Sequence, residues 1–440
     1  MPAPEKACII GAGSSGIAAA QVFAARGIAY DQFEKGSQIG GNWRYENDNG
    51  MSSAYRSLHI NTSRRVMAFR TLPMPDHYPD YPDHFQMAAY FDEFADHFGL
   101  REKIRFQTEV VRAEPIVGGG WDVTVAGPGG EETNRYRALI VANGHHWDPR
   151  WPEPAFPGAD GFEGEQIHVH NYREADILRG KRVLVLGLGN SATDVAVESS
   201  RIADATFIST RRGAWVLPKY LNGKPIDEVL NPITGLAPIP LQRFFTMRAL
   251  GVAVGQPETY GLPKPDHKLF EAHPTVSSEL LPRLGHGDIS AKPNIERYEG
   301  GRSVRFVDGS REEIDLVVYC TGYKITFPFF DPAVFSAPDN RMPLYRRVAS
   351  VERPGLYFVG FIQPLGPIMP LAEAQSEWIA DLLADRASLP AKARMLEEIE
   401  AEEGRQRKRF VASKRHTVEV DFYPYLREIR RERKRAAVPA

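Results

Sequence analysis

Two stretches of this chain repeat one pattern: an apolar strand, a glycine turn, a helix of small residues, then a second strand. The first, ACIIGAGSSGIAAAQVFAARGIAYDQFEK, predicts a strand over Ala7–Ile10, a turn over 11–16, a helix stopped by Gly27 and a strand over 29–33. The second, KRVLVLGLGNSATDVAVESSRIADATFISTRR, predicts a strand over Arg182–Leu186, a turn over 187–192 and a strand over Ala205–Ser209. Each pattern makes a parallel strand pair bridged by a helix. An α/β fold with two Rossmann-like dinucleotide-binding domains of three-layer ββα type is therefore expected.

The turns have a chemical reason. The first glycine permits the bend, the second lets a pyrophosphate reach the backbone, and the third lets helix pack on strand. The pyrophosphate then meets free N–H groups at the positive end of the helix. Gly11, Gly13 and Gly16 fill these places in the first turn, and Glu34 ends its second strand. An acid there accepts hydrogen bonds from an adenosine ribose and repels a 2′-phosphate. In the second turn Gly187 and Gly189 keep the pattern and Ala192 takes the third place, a tolerated variant. Its strand ends instead in Ser209-Thr210-Arg211-Arg212. Guanidinium groups match a 2′-phosphate through forked, charge-assisted bonds, although two arginines after a strand also fit a plain surface. One site hostile to a 2′-phosphate and one suited to it predict FAD and NADPH, with Asn190 and Ser191 in the second phosphate cradle.

The rest of the chain narrows the chemistry. Its 440 residues are 42% hydrophobic and 25% charged, with a formal net charge of −2, which gives no reason to expect nucleic acid. No window approaches a membrane span, and the N-terminal residues run straight into a strand. The basic run REIRRERKR (427–435) follows a helix mixed with acids and reads as a solvated face. Cys8 and Cys320 are the 2 cysteines; they form no disulfide framework, C-x-x-C pair or zinc site, and suit a reducing cytoplasm. No metal-ligand cluster or G-x-S-x-G elbow is present, so the hard step belongs to the cofactors. Further strands are expected over 121–125, 138–142 and 316–320, with a hairpin tip at 126–132. The proline-rich stretch 148–161 marks the crossing between domains. The expected division is a discontinuous FAD domain, 1–165 and 331–440, around an NADPH domain, 166–330.

On these motifs the chain resembles the flavin-containing monooxygenases, a family of class B flavoprotein monooxygenases, and in particular a soluble bacterial type. FEKGSQIGGNW (33–43) is similar to the family's FAD segment, GKRVLVLGLGNSATD (180–194) to its NADPH turn, and CTGY (320–323) to its late crossing motif. Phe162, Gly164, His168 and Tyr172 fit the family's identifying pattern, F-x-G-x-x-x-H-x-x-x-Y/F. The resemblance implies that Asn61, in SLHINTSRRVMAF (57–69), is the active-site asparagine that hydrogen-bonds a flavin C4a-hydroperoxide; alone, Asn-Thr-Ser would read as a turn or N-cap. The FAD contacts assigned beside it are Ser15, Gly41, Asn42, Trp43, Thr62, Val110 and Gln363.

The implied reaction is NADPH- and O2-dependent oxygenation of a small amine or sulfide. Baeyer–Villiger oxidation of ketones is the alternative, but relatives of that kind usually end the identifying pattern in Trp-Pro, and Arg173 follows Tyr172 here. An uncoupled NADPH oxidase and a non-enzymatic redox sensor are the other readings. His168 is expected to be a structural histidine. The proline-rich stretch 71–85 reads as a rigid surface loop, and the oligomeric state stays open, a homodimer included.

Overall fold

A computed structural model describes residues 5–229, 237–411 and 416–435. The chain divides into two compact units, one drawn from 1–54, 58–148 and 324–440, the other from Tyr55–Ser57 and Pro149–Tyr323.

The first unit is built on a seven-stranded sheet. Ala7–Ile10 lies at its heart, parallel to Tyr30–Phe33 on one side and Ala138–Val141 on the other. All four residues of Ala7–Ile10 are buried because both faces of the sheet are covered. Ala7 and Ile9 share one core with Ile17 of helix Ser14–Ala25 and with Trp378 of helix Met369–Leu383. Cys8 and Ile10 share the other with Val110, Trp121, Val123 and Tyr136 of a three-stranded antiparallel sheet. That sheet pairs Glu109–Pro115, Trp121–Gly127 and Gly130–Tyr136, with the expected hairpin turning between Gly127 and Gly130. The period-2 alternation of side chains along Ala7–Ile10 thus makes the three layers.

The second unit repeats the plan. Ser290–Lys292, Ala205–Ser209, Arg182–Leu186, Leu316–Tyr319 and Glu165–His168 form a parallel sheet in that order. Leu184, Phe207 and Val317 pack with Ile295, Val304 and Phe306 of a smaller antiparallel sheet. Much of the stretch 221–292 folds around a small core of Leu217, Ile226, Leu250 and Leu269, with helix Ile239–Ala253 its longest element. Residues 230–236 lie outside the described residues.

The crossings correct the expected boundaries. Residues 149–165 belong to the second unit, because Arg150 N donates to Gly322 O (2.9 Å), Tyr298 N donates to Pro157 O (2.8 Å), and Glu165 pairs with Leu316. The return comes after Tyr323 and not after 330, since Ile325, Phe327, Phe329 and Phe330 are buried in the first unit's core. The sequence gives no sign that Tyr55–Ser57 joins the second unit. Tyr55 OH donates to Asp194 Oδ2 at 2.5 Å, and Arg56 N donates to Arg173 O at 2.7 Å.

The charged C-terminal stretch pairs with its own unit. Arg433 binds Asp381 Oδ2 at 2.8 Å and also Glu377, Arg435 binds Glu432, and Arg347 reaches Glu402 at 3.2 Å. Among the described residues no helix is long and apolar enough to cross a membrane.

Helix Ser14–Ala25 meets the central strand at Gly16, where a Cβ would run into the backbone carbonyl of Gly11. That obstacle is main chain and has little freedom to yield. Gly16→Ala is expected to destabilise the first unit by about 1–3 kcal/mol. Gly404, inside helix Lys392–Arg409, meets nothing within 4 Å, so Gly404→Ala is expected to stabilise by about 0.5–1 kcal/mol. Denaturant midpoints check both signs.

Candidate dinucleotide and active site

At the first glycine turn, the protein itself accounts for only some of the glycines. Gly11 has φ +99, and a Cβ there would stand 2.8 Å from Ala142 O. Gly16 is closed by Gly11 O, as above. Gly13 differs: its φ is −73, and a Cβ would meet nothing nearer than Gly41 Cα at 3.6 Å. Neither backbone strain nor packing asks for glycine at that place. A group approaching from outside the protein does, and a pyrophosphate at the mouth of the turn is such a group. Helix Ser14–Ala25 behind it has no side-chain cap and no acid in its first turn, which leaves its N–H groups for an anion. Gly41 (φ +53) closes in from the loop after Glu34, and Gly360 stands so near Ser15 that a Cβ would strike its Oγ. Gly360 is a member of the cradle with no signature in the local sequence.

Glu34 ends its strand buried, at 4% exposure. Its Oε1 accepts from Gly36 N (2.9 Å) and Asn49 Nδ2 (3.1 Å), and its Oε2 accepts from Ala12 N (2.7 Å). Oε2 is left with a single donor among the described residues, and so keeps room to accept a ribose hydroxyl. Asn143, which follows the strand facing Gly11, has its Oδ1 buried without a partner among the described residues. A cradle a Cβ would fill, an acceptor with capacity left and an unsatisfied buried oxygen fit a bound dinucleotide without a 2′-phosphate.

The other residues assigned to this site separate by their partners. Asn42 organises its loop, accepting from Ser53 N (2.9 Å) and Ser53 Oγ (2.8 Å) at Oδ1. Trp43 packs against the core at the end of the short turn Gly41–Trp43, and Val110 is buried at a bulge in its strand. Gln363 begins strand Gln363–Leu365, half-buried. Asn61 and Thr62 are half-buried, and their side chains hydrogen-bond no described residue. The backbone on either side is pinned, Ile60 N to Pro82 O (3.0 Å) and Arg64 N to Asp80 O (2.8 Å). An amide held in place and left without a partner among the described residues is available to a ligand.

The second cradle shows the same construction with another ending. Gly187 has φ +130, and a Cβ would stand 2.8 Å from Cys320 O. Gly189 begins helix Asn190–Ile202, which also lacks a side-chain cap and first-turn acid. Asn190 Oδ1 accepts from Val276 N (2.8 Å), Ser191 is half-buried, and Ala192 is buried where helix meets strand. Ser209 is fully buried and its hydroxyl donates to Pro293 O (2.7 Å), which fixes the strand end and leaves it nothing for a phosphate. Arg211 is exposed and pairs with no described residue. Arg212 stands 3.5 Å from Asp266. Nothing comparable to this free guanidinium ends the strand at Glu34.

His168 has no catalytic setting. It is fully buried, its Nδ1 accepts from His170 N (3.1 Å), and its ring lies beside Trp151 and Tyr323. Tyr172, from the same sequence pattern, donates to Glu198 Oε2 at 2.5 Å. Burial holds the thiols of Cys8 and Cys320 well above the usual range, so neither is a ready nucleophile. No group of three or more metal-ligating side chains occurs among the described residues.

A profile of the flavin-binding monooxygenase-like family matches residues 4–435. The chain belongs to that family. It is 36% identical to flavin-containing monooxygenase 5 of Rattus norvegicus over 97% of this chain and 82% of the rat protein. It is 32% identical to the rat dimethylaniline monooxygenase [N-oxide-forming] 2 over the same shares. Among solved structures, the S-allyl-L-cysteine S-oxygenase of Allium sativum superposes with a TM-score of 0.74 at 28% identity, covering 99% of this chain and 89% of that one. Mammalian and plant proteins stand among these relatives, so the likeness gives the family and not a bacterial subtype. The chain is thus a flavoprotein monooxygenase that uses FAD and NADPH.

Burial pushes the His168 imidazole down to about 4, with His170 adding to the effect and the Gly322 backbone offsetting part of it. An unfolded histidine titrates near about 6.5. Above that pH both states are neutral and nothing is lost. As pH falls from about 6.5 toward 4 the unfolded chain takes up a proton that the folded one refuses, so stability falls, by about 2 kcal/mol at pH 5. His168→Asn keeps an acceptor for His170 N and removes this titration. Its stability is expected to fall less than wild type between pH 7 and pH 5; parallel profiles in urea would contradict the assignment.

Proposed function

We propose that this enzyme oxygenates a soft nitrogen or sulfur atom of a small amine or sulfide, working in the cytoplasm. The observation that carries the reading is the contrast between the two strand ends. One closes on a buried carboxylate that accepts three N–H donors, the other on an exposed arginine that pairs with no described residue. The first suits FAD and the second NADPH, which divides electron donor from oxygenating cofactor. Reduced flavin supplies the electrons and the site at which O2 is activated. The chain's own residues bind, orient and shield. A substrate whose lone pair attacks oxygen needs no positioned base, and the isolated, structural His168 and the two protonated thiols agree with that. Asn61 is assigned the hydrogen bond to the oxygen being transferred, supported by its unpartnered amide between two backbone anchors. The cytoplasmic placement is supported by two free cysteines in place of a disulfide.

Asn61→Leu keeps the side chain's size and removes the donor, a loss of about 1–3 kcal/mol. Flavin reduction by NADPH is expected to survive, while oxygenated product falls about 5- to 160-fold and hydrogen peroxide takes its place. Parallel assays of NADPH consumption, peroxide and product with a tertiary amine, a thioether and a cyclic ketone check this. Unchanged coupling in the variant removes Asn61 from the site. A wild type that prefers the ketone overturns the substrate class.

A further inference from the structure

A loop from the stretch 221–292 stands against the residues that follow the second cradle's arginines. At Gly213, directly after them, the space for a Cβ is filled by Pro263 O and by the backbone of Lys264 and Pro265. Trp215 Nε1 donates to His267 O at 2.9 Å, which fixes the far end of the same loop. The loop is thus held by main-chain packing on one side and an indole hydrogen bond on the other. It carries Asp266 to the cation: Asp266 Oδ2 lies 3.5 Å from Arg212 Nε, and Oδ1 is hydrogen-bonded to His267 Nδ1 at 2.9 Å. Arg212 and Asp266 are 52% and 51% exposed, so their pairing is weak and does little for the fold. Its position beside Arg211, which pairs with no described residue, gives it a different consequence.

We propose that Asp266 is a coenzyme-specificity residue. Its carboxylate occupies Arg212 and repels an incoming 2′-phosphate, which holds the preference for NADPH over NADH below what two free arginines would give. This rests on the reading that Arg211 and Arg212 receive the 2′-phosphate. The loop's rigid attachment means that the carboxylate has limited freedom to swing away when the phosphate arrives. Charge is the active property, because an asparagine retains an oxygen for His267 while removing the negative charge.

Calorimetric titration of the flavin-loaded protein with adenosine 2′,5′-bisphosphate and with 5′-AMP tests this without turnover. Asp266→Asn is expected to tighten the bisphosphate about two- to fivefold and to leave 5′-AMP unchanged. The gain should shrink in 0.5 M salt, used to screen about all but the closest contacts, and vanish in an Arg212→Ala background. Unchanged or weaker bisphosphate binding, or equal shifts for both ligands, overturns the proposal. Arg211→Ala/Arg212→Ala separates the two ideas. If that variant still prefers the bisphosphate, the arginine assignment fails; if it loses the preference while Asp266→Asn has no effect, the role of Asp266 alone fails.

Discussion

The close approach of helix Ser14–Ala25 to strand Ala7–Ile10 is the constraint on which the first unit depends. It needs Gly11 in a left-handed conformation against Ala142 and Gly16 against the Gly11 carbonyl. A side chain at Gly16 would lift the helix from the strand, and one at Gly11 would strike the backbone at Ala142. With the helix seated, its uncapped N-terminus opens at the end of the central strands, where Glu34, Gly41 and Gly360 also arrive. Packing seats the helix, while the N-cap itself is Gly13, which brings no side chain to cap it and leaves its first N–H groups open to an anion. The second unit reaches the same arrangement with Gly187 against Cys320 and a buried Ala192, where an alanine methyl fits.

Two cradles of one construction are told apart by electrostatics. Glu34 is buried among backbone and amide donors, and its carboxylate there would repel a 2′-phosphate. Arg211 is exposed and pairs with none of the described residues, so an incoming phosphate need displace none of them. Ser209 between strand and arginines is turned inward to Pro293 and serves the backbone. The chemistry of oxygen transfer then falls to cofactors, which agrees with a chain whose histidine pattern is structural and whose thiols are buried.

Much of this was legible in the sequence for physical reasons. Glycine spacing, apolar strands and the charge at each strand end are local signals, and the strands at Ala7–Ile10, Arg182–Leu186 and Ala205–Ser209 lie where they predict. The crossing signals at 148–161 and at CTGY (320–323) lie where the units divide, whereas the domain bounds at 165 and 331 fall late because hydrogen bonds such as Arg150 N to Gly322 O join positions far apart in the chain. The same applies to Gly360 beside Ser15 and to Tyr55 on Asp194, partners that no local pattern relates. Asp266 was hidden for a further reason: its stretch carries no strong periodicity, and its meaning comes only from what Gly213 and Trp215 hold it against.

Gly13 separates a fold requirement from a ligand requirement most directly, because the protein leaves room for a Cβ there and asks for no special φ. The decisive measurement is the flavin content of purified Gly13→Val, read from its visible absorbance, with circular dichroism showing that the chain has folded. The account predicts a folded, colourless protein. A folded variant that carries a full complement of flavin would contradict the placement of FAD on the first cradle.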